Sequence, residues 1–411
     1  MPDPENPRTL QEPAWRFQAM KIDPLFQRLE GARASSRNSS SGNEFTGRQV
    51  SLRAALIGVL LFVIAALADG RLLASGEAAA NVRPALDSLL TSIPGFFSSS
   101  PARMPDFPLF ADTASWLFLL ASVMTFGLLF RQWTIMADVV PSLIECGAIE
   151  VEEENRFLGL LKRLNRIMGS WWATVVLLVL ALGITVLVDQ GLAQNGLYET
   201  LAPPDSNHGE WAREAYRHWW AGAGSDLGRA AFDFVLFAYL YYLLAQYFAG
   251  AIWVALTYFG KGHVKFGFDR SNMDGYFGWR PLRDLMLTVY LSILVQVLAM
   301  LPLLHLLTQG SWIYLVGPFL LFVVFNPIYI LTPLILVSPD LRERRQEYLL
   351  HIADGEPSSQ EASERSFKGH AQMAEVYGYV RSMPIFPIRG RDLGVGVVTY
   401  VIPIIALIWH R

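Results

Sequence analysis

The side chains placed to do chemistry are polar groups inside long apolar runs. Gln246 and Gln296 each sit in the middle of such a run, and His305 lies toward the end of the second. Asn326 and Pro327 adjoin in a third, L-V-G-P-F-L-L-F-V-V-F-N-P-I-Y-I-L-T-P-L, where Pro318 and Pro333 add two more breaks. A polar group in hydrocarbon is costly, so it marks hydrogen bonding between helices or a pathway. Each proline removes a backbone donor and frees a carbonyl one turn back. At membrane depth that carbonyl must meet protein or a water-lined cavity, and broken helices of this kind build transporter sites. Gln246, Gln296, Asn326, Pro327 and His305 therefore form the candidate mid-membrane polar site. Ionisable residues are scarce in the runs, with Asp69, Asp189 and Asp233 falling near their ends.

The second candidate is the loop F-G-K-G-H-V-K-F-G-F-D-R-S-N-M-D-G-Y-F-G-W-R-P-L-R-D between the fourth and fifth runs. Alternation at Val264, Phe266 and Phe268, with an Asp274-Gly275 turn, predicts a small hairpin. Lys265, Asp269, Asp274, Gly275, Trp279 and Arg280 are its candidate interaction residues. A calcium loop is excluded, because Arg270 occupies the first ligand position and Pro281 stands where a bidentate Glu is needed. The chain has no H-E-x-x-H, no G-x-S-x-G and no Walker A sequence. The expectation is a protein that is not an enzyme and carries no metal or other cofactor.

The elements that must hold these residues are six apolar segments: Leu52–Leu73, Thr113–Phe130, Trp171–Val188, Ala230–Phe259, Leu285–Leu307 and Trp312–Val337. Roughly 20 apolar residues cross a hydrocarbon core of about 30 Å. The expected fold is all-α, a polytopic transmembrane helical bundle. Gly394–Trp409 is read as a seventh span, with a re-entrant segment as the alternative, because it is short and Pro403 interrupts it. Lys and Arg alternate rich and poor along the connecting segments, from Arg8–Arg53 through Lys261–Arg283 to Arg342–Arg391. Retention of these residues inside the cell predicts a cytoplasmic N-terminus.

Composition agrees, at 53% hydrophobic and 17% charged residues. The net charge of −3 argues against nucleic acid as a partner. The lone Cys146 excludes an internal disulfide.

Residues 1–51 read as a partly flexible cytoplasmic tail and 52–338 as the membrane domain. Within that domain, 131–170 and 260–284 are cytoplasmic loops. The 131–170 loop predicts a short helix ending near Gly147, then an amphipathic helix with Lys162, Arg163 and Arg166 opposite its apolar stripe. Residues 339–393 predict a cytoplasmic helical hairpin whose first helix is capped by Asp340. Trp211, Tyr216, Trp219 and Trp220, near the fourth span, predict an interfacial helix at headgroup level.

Two segments resemble a group of uncharacterised bacterial polytopic inner-membrane proteins. One is Ser142-Leu-Ile-Glu-Cys-Gly-Ala-Ile149, followed by Leu160-Leu-Lys-Arg-Leu-Asn-Arg166. The other is Asp274-Gly-Tyr-Phe-Gly-Trp-Arg-Pro-Leu282, which in that group typically reads like H-P-D-G-x-G-G-L. Here Asn272, Met273, Phe277 and Trp279 stand where the His, the Pro, a Gly and the Leu would be. The resemblance implies a bacterial inner-membrane location and no particular activity.

The expected function is that of a membrane-embedded interaction or regulatory protein with a basic cytoplasmic face. Its expected partners are membrane lipids with anionic headgroups, a protein or a second copy. The alternative is a transporter or channel built on the broken sixth span. The topology is checked with single cysteines in a Cys146→Ser background and an impermeant thiol reagent. A cysteine in the Phe259–Asp284 loop should stay unlabelled in intact cells and label after lysis; labelling from outside would invert the assignment.

Overall fold

A computed structural model describes residues 47–73, 101–268, 276–306 and 320–354, with isolated positions 81, 82, 84, 87, 378 and 394. The seventh-span segment, the second arm of the 339–393 hairpin and most of the N-terminal tail lie outside the described residues. Eight α-helices are described: α1 Gly47–Ala68, α2 Thr113–Glu145, α3 Glu154–Met168, α4 Trp171–Asn195, α5 His208–His218, α6 Asp226–Gly260, α7 Arg280–Leu306 and α8 Asn326–Asp354. Six of them (all but α3 and α5) are long and apolar enough to cross a membrane.

Helix α4 shows why the solvent of this fold is lipid. Its buried residues are Ala181, Thr185, Val188, Gly191 and Leu192, one narrow stripe. Val175, Val176, Val179, Leu180, Leu182, Val186 and Leu187 are exposed around it. So large an apolar surface would drive association in water and suits hydrocarbon. Helix α2 is central and packs most extensively on α7, then on α1 and α6.

Two apolar cores divide the bundle. The outer core gathers Phe62, Phe107, Phe118, Trp219, Trp220 and Phe232. The inner core gathers Phe157, Leu161, Trp253, Phe266, Trp279 and Leu341, at the end where the Lys/Arg count predicts the cytoplasm.

Two local expectations are corrected and one is met: the helix expected to end near Gly147 is the continuation of α2, which runs unbroken to Glu145 with Pro141 inside it. The extension buries Met136, Val139, Val140 and Leu143, which outweighs the one backbone bond lost to proline. The strand expected in a local hairpin exists, as β2 Val264–Phe266, but its partner is β1 Ile149–Val151. The antiparallel register is Ile149↔Phe266, Glu150↔Lys265 and Val151↔Val264. The expected turn at Asp274-Gly275 lies outside the described residues. Finally, Asp340 does not cap a new helix. Helix α8 continues through Pro333 and Pro339, and Asp340 meets Lys261 Nζ at 3.1 Å. Lys261 also donates to the Leu336 carbonyl at 2.9 Å, so one ammonium pins the helix beside its proline.

Helix α3 ends at Gly169, whose N–H bonds Asn165 O at 2.8 Å. Ser170 then caps α4, its Oγ accepting from Ala173 N at 3.4 Å. The ladder generates a direct check. In a Cys146→Ser background, Glu150→Cys with Lys265→Cys should form a disulfide on mild oxidation, and Glu150→Cys with Gly262→Cys should not. Failure of the first pair would return β2 to a local partner.

Candidate functional site

Six polar residues between the spans form one chain of hydrogen bonds. Tyr247 OH donates to Gln296 Oε1 at 2.9 Å, and Gln296 Nε2 to Gln246 Oε1 at 3.3 Å. Gln246 Nε2 donates to Gln132 Oε1 at 2.9 Å and to Ser292 Oγ at 2.6 Å. Gln132 Nε2 reaches Tyr329 OH at 3.0 Å. This knot ties α2, α6, α7 and α8. All six side chains are buried. It brings together Gln246 and Gln296 of the expected site. It adds Gln132, Tyr247, Ser292 and Tyr329. Gln132 escaped sequence reading because Arg131 seemed to end the second span; Arg131 is exposed while Gln132 turns inward. By helix rise Gln132 and Gln246 lie about 25–30 Å from Asp112 and Arg229, near the inner margin of the layer.

Asn326 is 2% exposed, and its Nδ2 meets no acceptor among the described residues. It follows a π-helical turn, Leu321–Phe325, and precedes half-buried Pro327. A π turn and a proline together loosen the backbone ladder of this span. His305 is helical in α7, and nothing is described of its side chain.

The outer end holds a cluster that sequence reading missed. Asp112 caps α2 and is fully buried. It accepts from Ser115 N at 3.1 Å and Ser115 Oγ at 2.5 Å. Trp219 Nε1 and Trp220 Nε1 donate to it at 2.5 and 2.8 Å, and Tyr198 OH completes the set. Burial, then the adjoining carboxylate, holds the Tyr198 hydroxyl well above its ordinary pKa. The expected interfacial aromatics are thus corrected. Trp211, Tyr216, Trp219 and Trp220 are all buried, and for Trp219 and Trp220 the buried carboxylate takes the indole N–H donors that lipid cannot.

Asp69 bonds Ser225 Oγ at 2.5 Å, Gly228 N at 2.9 Å and Leu227 N at 3.1 Å, so the end of α1 caps the start of α6. The Ser225 hydroxyl chiefly, then those amides and Arg71, holds its carboxyl below the usual range. Arg229 pairs with Asp189 through one guanidinium edge, Nε donating to Oδ1 at 2.8 Å and Nη2 to Oδ2.

At the inner end, a cleft of about 470 Å³ lies between α2 and α7. Thr134, Asp138, Ser142, Glu145 and Cys146 line one side, and Arg280, Pro281 and Asp284 the other. Arg280 is the one member of the expected loop site on this cleft. Lys265 pairs instead with Glu152. Trp279 is 1% exposed and donates to Gly267 O at 3.2 Å, so it is core and not contact surface. Asp269, Asp274 and Gly275 lie outside the described residues. Nearby, His263 Nδ1 meets Glu153 Oε2 at 2.7 Å, which with Arg156 holds the Glu153 carboxyl below its ordinary pKa.

The knot contains amides and hydroxyls, groups that orient and bond without titrating near neutral pH. Among the described residues no three His, Cys, Asp or Glu side chains gather as metal ligands would. The fold defines the chain as a polytopic α-helical membrane protein. No protein-family model, curated protein or solved structure matches it.

Asp112→Asn turns an amide N–H toward donors and strips charge from the others. Each buried donor left unpaired costs about 1–3 kcal/mol. Asp112→Asn should therefore lower the thermal midpoint in detergent far more than Asp284→Asn at the cleft. Equal midpoints would remove the cage from any structural role.

Proposed function

We propose that this protein is a membrane-embedded interaction protein of a bacterial inner membrane, with its N-terminus and working face in the cytoplasm. One contrast carries the reading. Six polar side chains between the spans bond to one another, whereas the cleft between α2 and α7 presents half-buried and exposed charge to solvent. The cavity touched by Gln296 and Tyr247 measures about 20 Å³, room for one water. Three carboxylates and one guanidinium line the cleft, Asp138 and Glu145 on one side and Arg280 and Asp284 on the other, where Asp284 meets Arg280 at 3.9 Å and Arg283 at 3.3 Å. That balance suits a basic segment of a protein partner. No catalytic step is assigned to it.

A transporter or channel is the second reading, favoured by the π turn and the unmatched Asn326 amide in the sixth span. Cysteine accessibility separates the two. In a Cys146→Ser background, Ser142→Cys should react with a small charged thiol reagent from the inner side, and Asn326→Cys and Ser292→Cys should not. Reaction at Asn326→Cys would overturn the interaction reading in favour of a water-lined path. A photo-crosslinker at Ser142 should give a discrete adduct in cells that is lost with Glu145→Lys.

A further inference from the structure

We propose that the elbow between α3 and α4 binds the headgroup of an anionic phospholipid in the inner-end leaflet. The site lies apart from the cleft and does not depend on the interaction reading. Helix α3 buries Phe157, Leu161, Leu164 and Met168 at helical spacing against the inner core. That orientation fixes where its other face points. Lys162, Arg163 and Arg166 are exposed there, and none makes an ion pair among the described residues. Neighbouring cations at the same end are matched: Arg156 with Glu153, Lys261 with Asp340, Lys265 with Glu152 and Arg344 with Glu347. Three adjacent charges left over on a packed, oriented helix are an electrostatic demand that the described residues do not meet.

Position identifies what meets it. Trp171 and Trp172 follow the elbow, 60% and 62% exposed, with ring centroids 3.8 Å apart. Exposed indoles at the start of a spanning helix mark the headgroup level. Arg166 and Lys162 lie about 5 and 10 Å along α3 from the elbow at Gly169, and their stems can reach toward the headgroup layer. Below the indoles, Val175, Val176 and Val179 continue as an apolar exposed face along which an acyl chain can lie. Charge before the elbow and exposed apolar surface after it fit a phospholipid. They do not fit free phosphate or nucleic acid, which would leave the indoles and valines uncovered.

Brominated lipids test the site by quenching tryptophan on contact. The full-length protein is placed in phosphatidylcholine nanodiscs containing a small fraction of brominated phosphatidylglycerol or brominated phosphatidylcholine. The charged lipid should quench at about a tenfold lower mole fraction, the effect expected of one to two nearby cations at about 1 kcal/mol each. The preference should fall to near parity in Lys162→Gln/Arg163→Gln/Arg166→Gln, weaken with salt, and persist in Arg344→Gln. Trp171→Phe/Trp172→Phe should remove the lipid-selective part of the signal. Arg166→Gln alone, on an exposed side chain, should give a partial loss if the triple variant folds poorly. Equal quenching by both lipids would overturn the proposal. So would a preference that survives the triple variant, or one abolished by millimolar inorganic phosphate.

Discussion

A carboxylate with no access to water sets the terms for the outer half of this protein. Asp112 draws donors from three separate stretches of chain: Ser115 on α2, Tyr198 after α4, and Trp219 and Trp220 after α5. A buried charge cannot be left half satisfied, so these stretches have little freedom to move apart. Tyr198 holds a left-handed backbone, φ 56°, to aim its hydroxyl there. Gly196 just before it, φ 82°, lies where a Cβ would stand 2.2 Å from the Ala212 carbonyl. The backbone in this corner is shaped around the carboxylate.

The inner half is organised by neutral groups. Amides and hydroxyls run from Tyr247 to Tyr329 across four helices, each oriented by its neighbour. Beneath that knot, the β1–β2 ladder joins the segment after α2 to the segment after α6. The α2 extension, α3, the strands and the start of α8 thereby share one apolar core. Polar direction sets alignment in both halves, and apolar burial supplies most of the cohesion.

What could be read from sequence follows from the range of each interaction. The spans and their order were legible because hydropathy over about 20 residues is a local property. The amphipathic helix at Glu154–Met168 was legible for the same reason, through its 3.6-residue period. Gln246 and Gln296 stood out as polar letters in apolar runs, and they do meet. The ladder and the cage were not legible. Val264–Phe266 shows strand alternation, but nothing in those three residues names Ile149–Val151 as partner. Asp112 looks like any residue at a loop end until Trp219 and Trp220 arrive from more than a hundred positions away. Trp279 misled in the opposite way: an aromatic in a glycine-rich loop suggested contact surface and proved to be core.

The cage also imposes an order on assembly. Asp112 leaves the ribosome 86 residues before Tyr198 and 107 before Trp219. At about 5–20 residues per second the carboxylate waits roughly 5–20 s for its last donors. Until those donors arrive its oxygens need water or other donors, so this corner cannot take its dry, final form before α5 and the two tryptophans after it have been made.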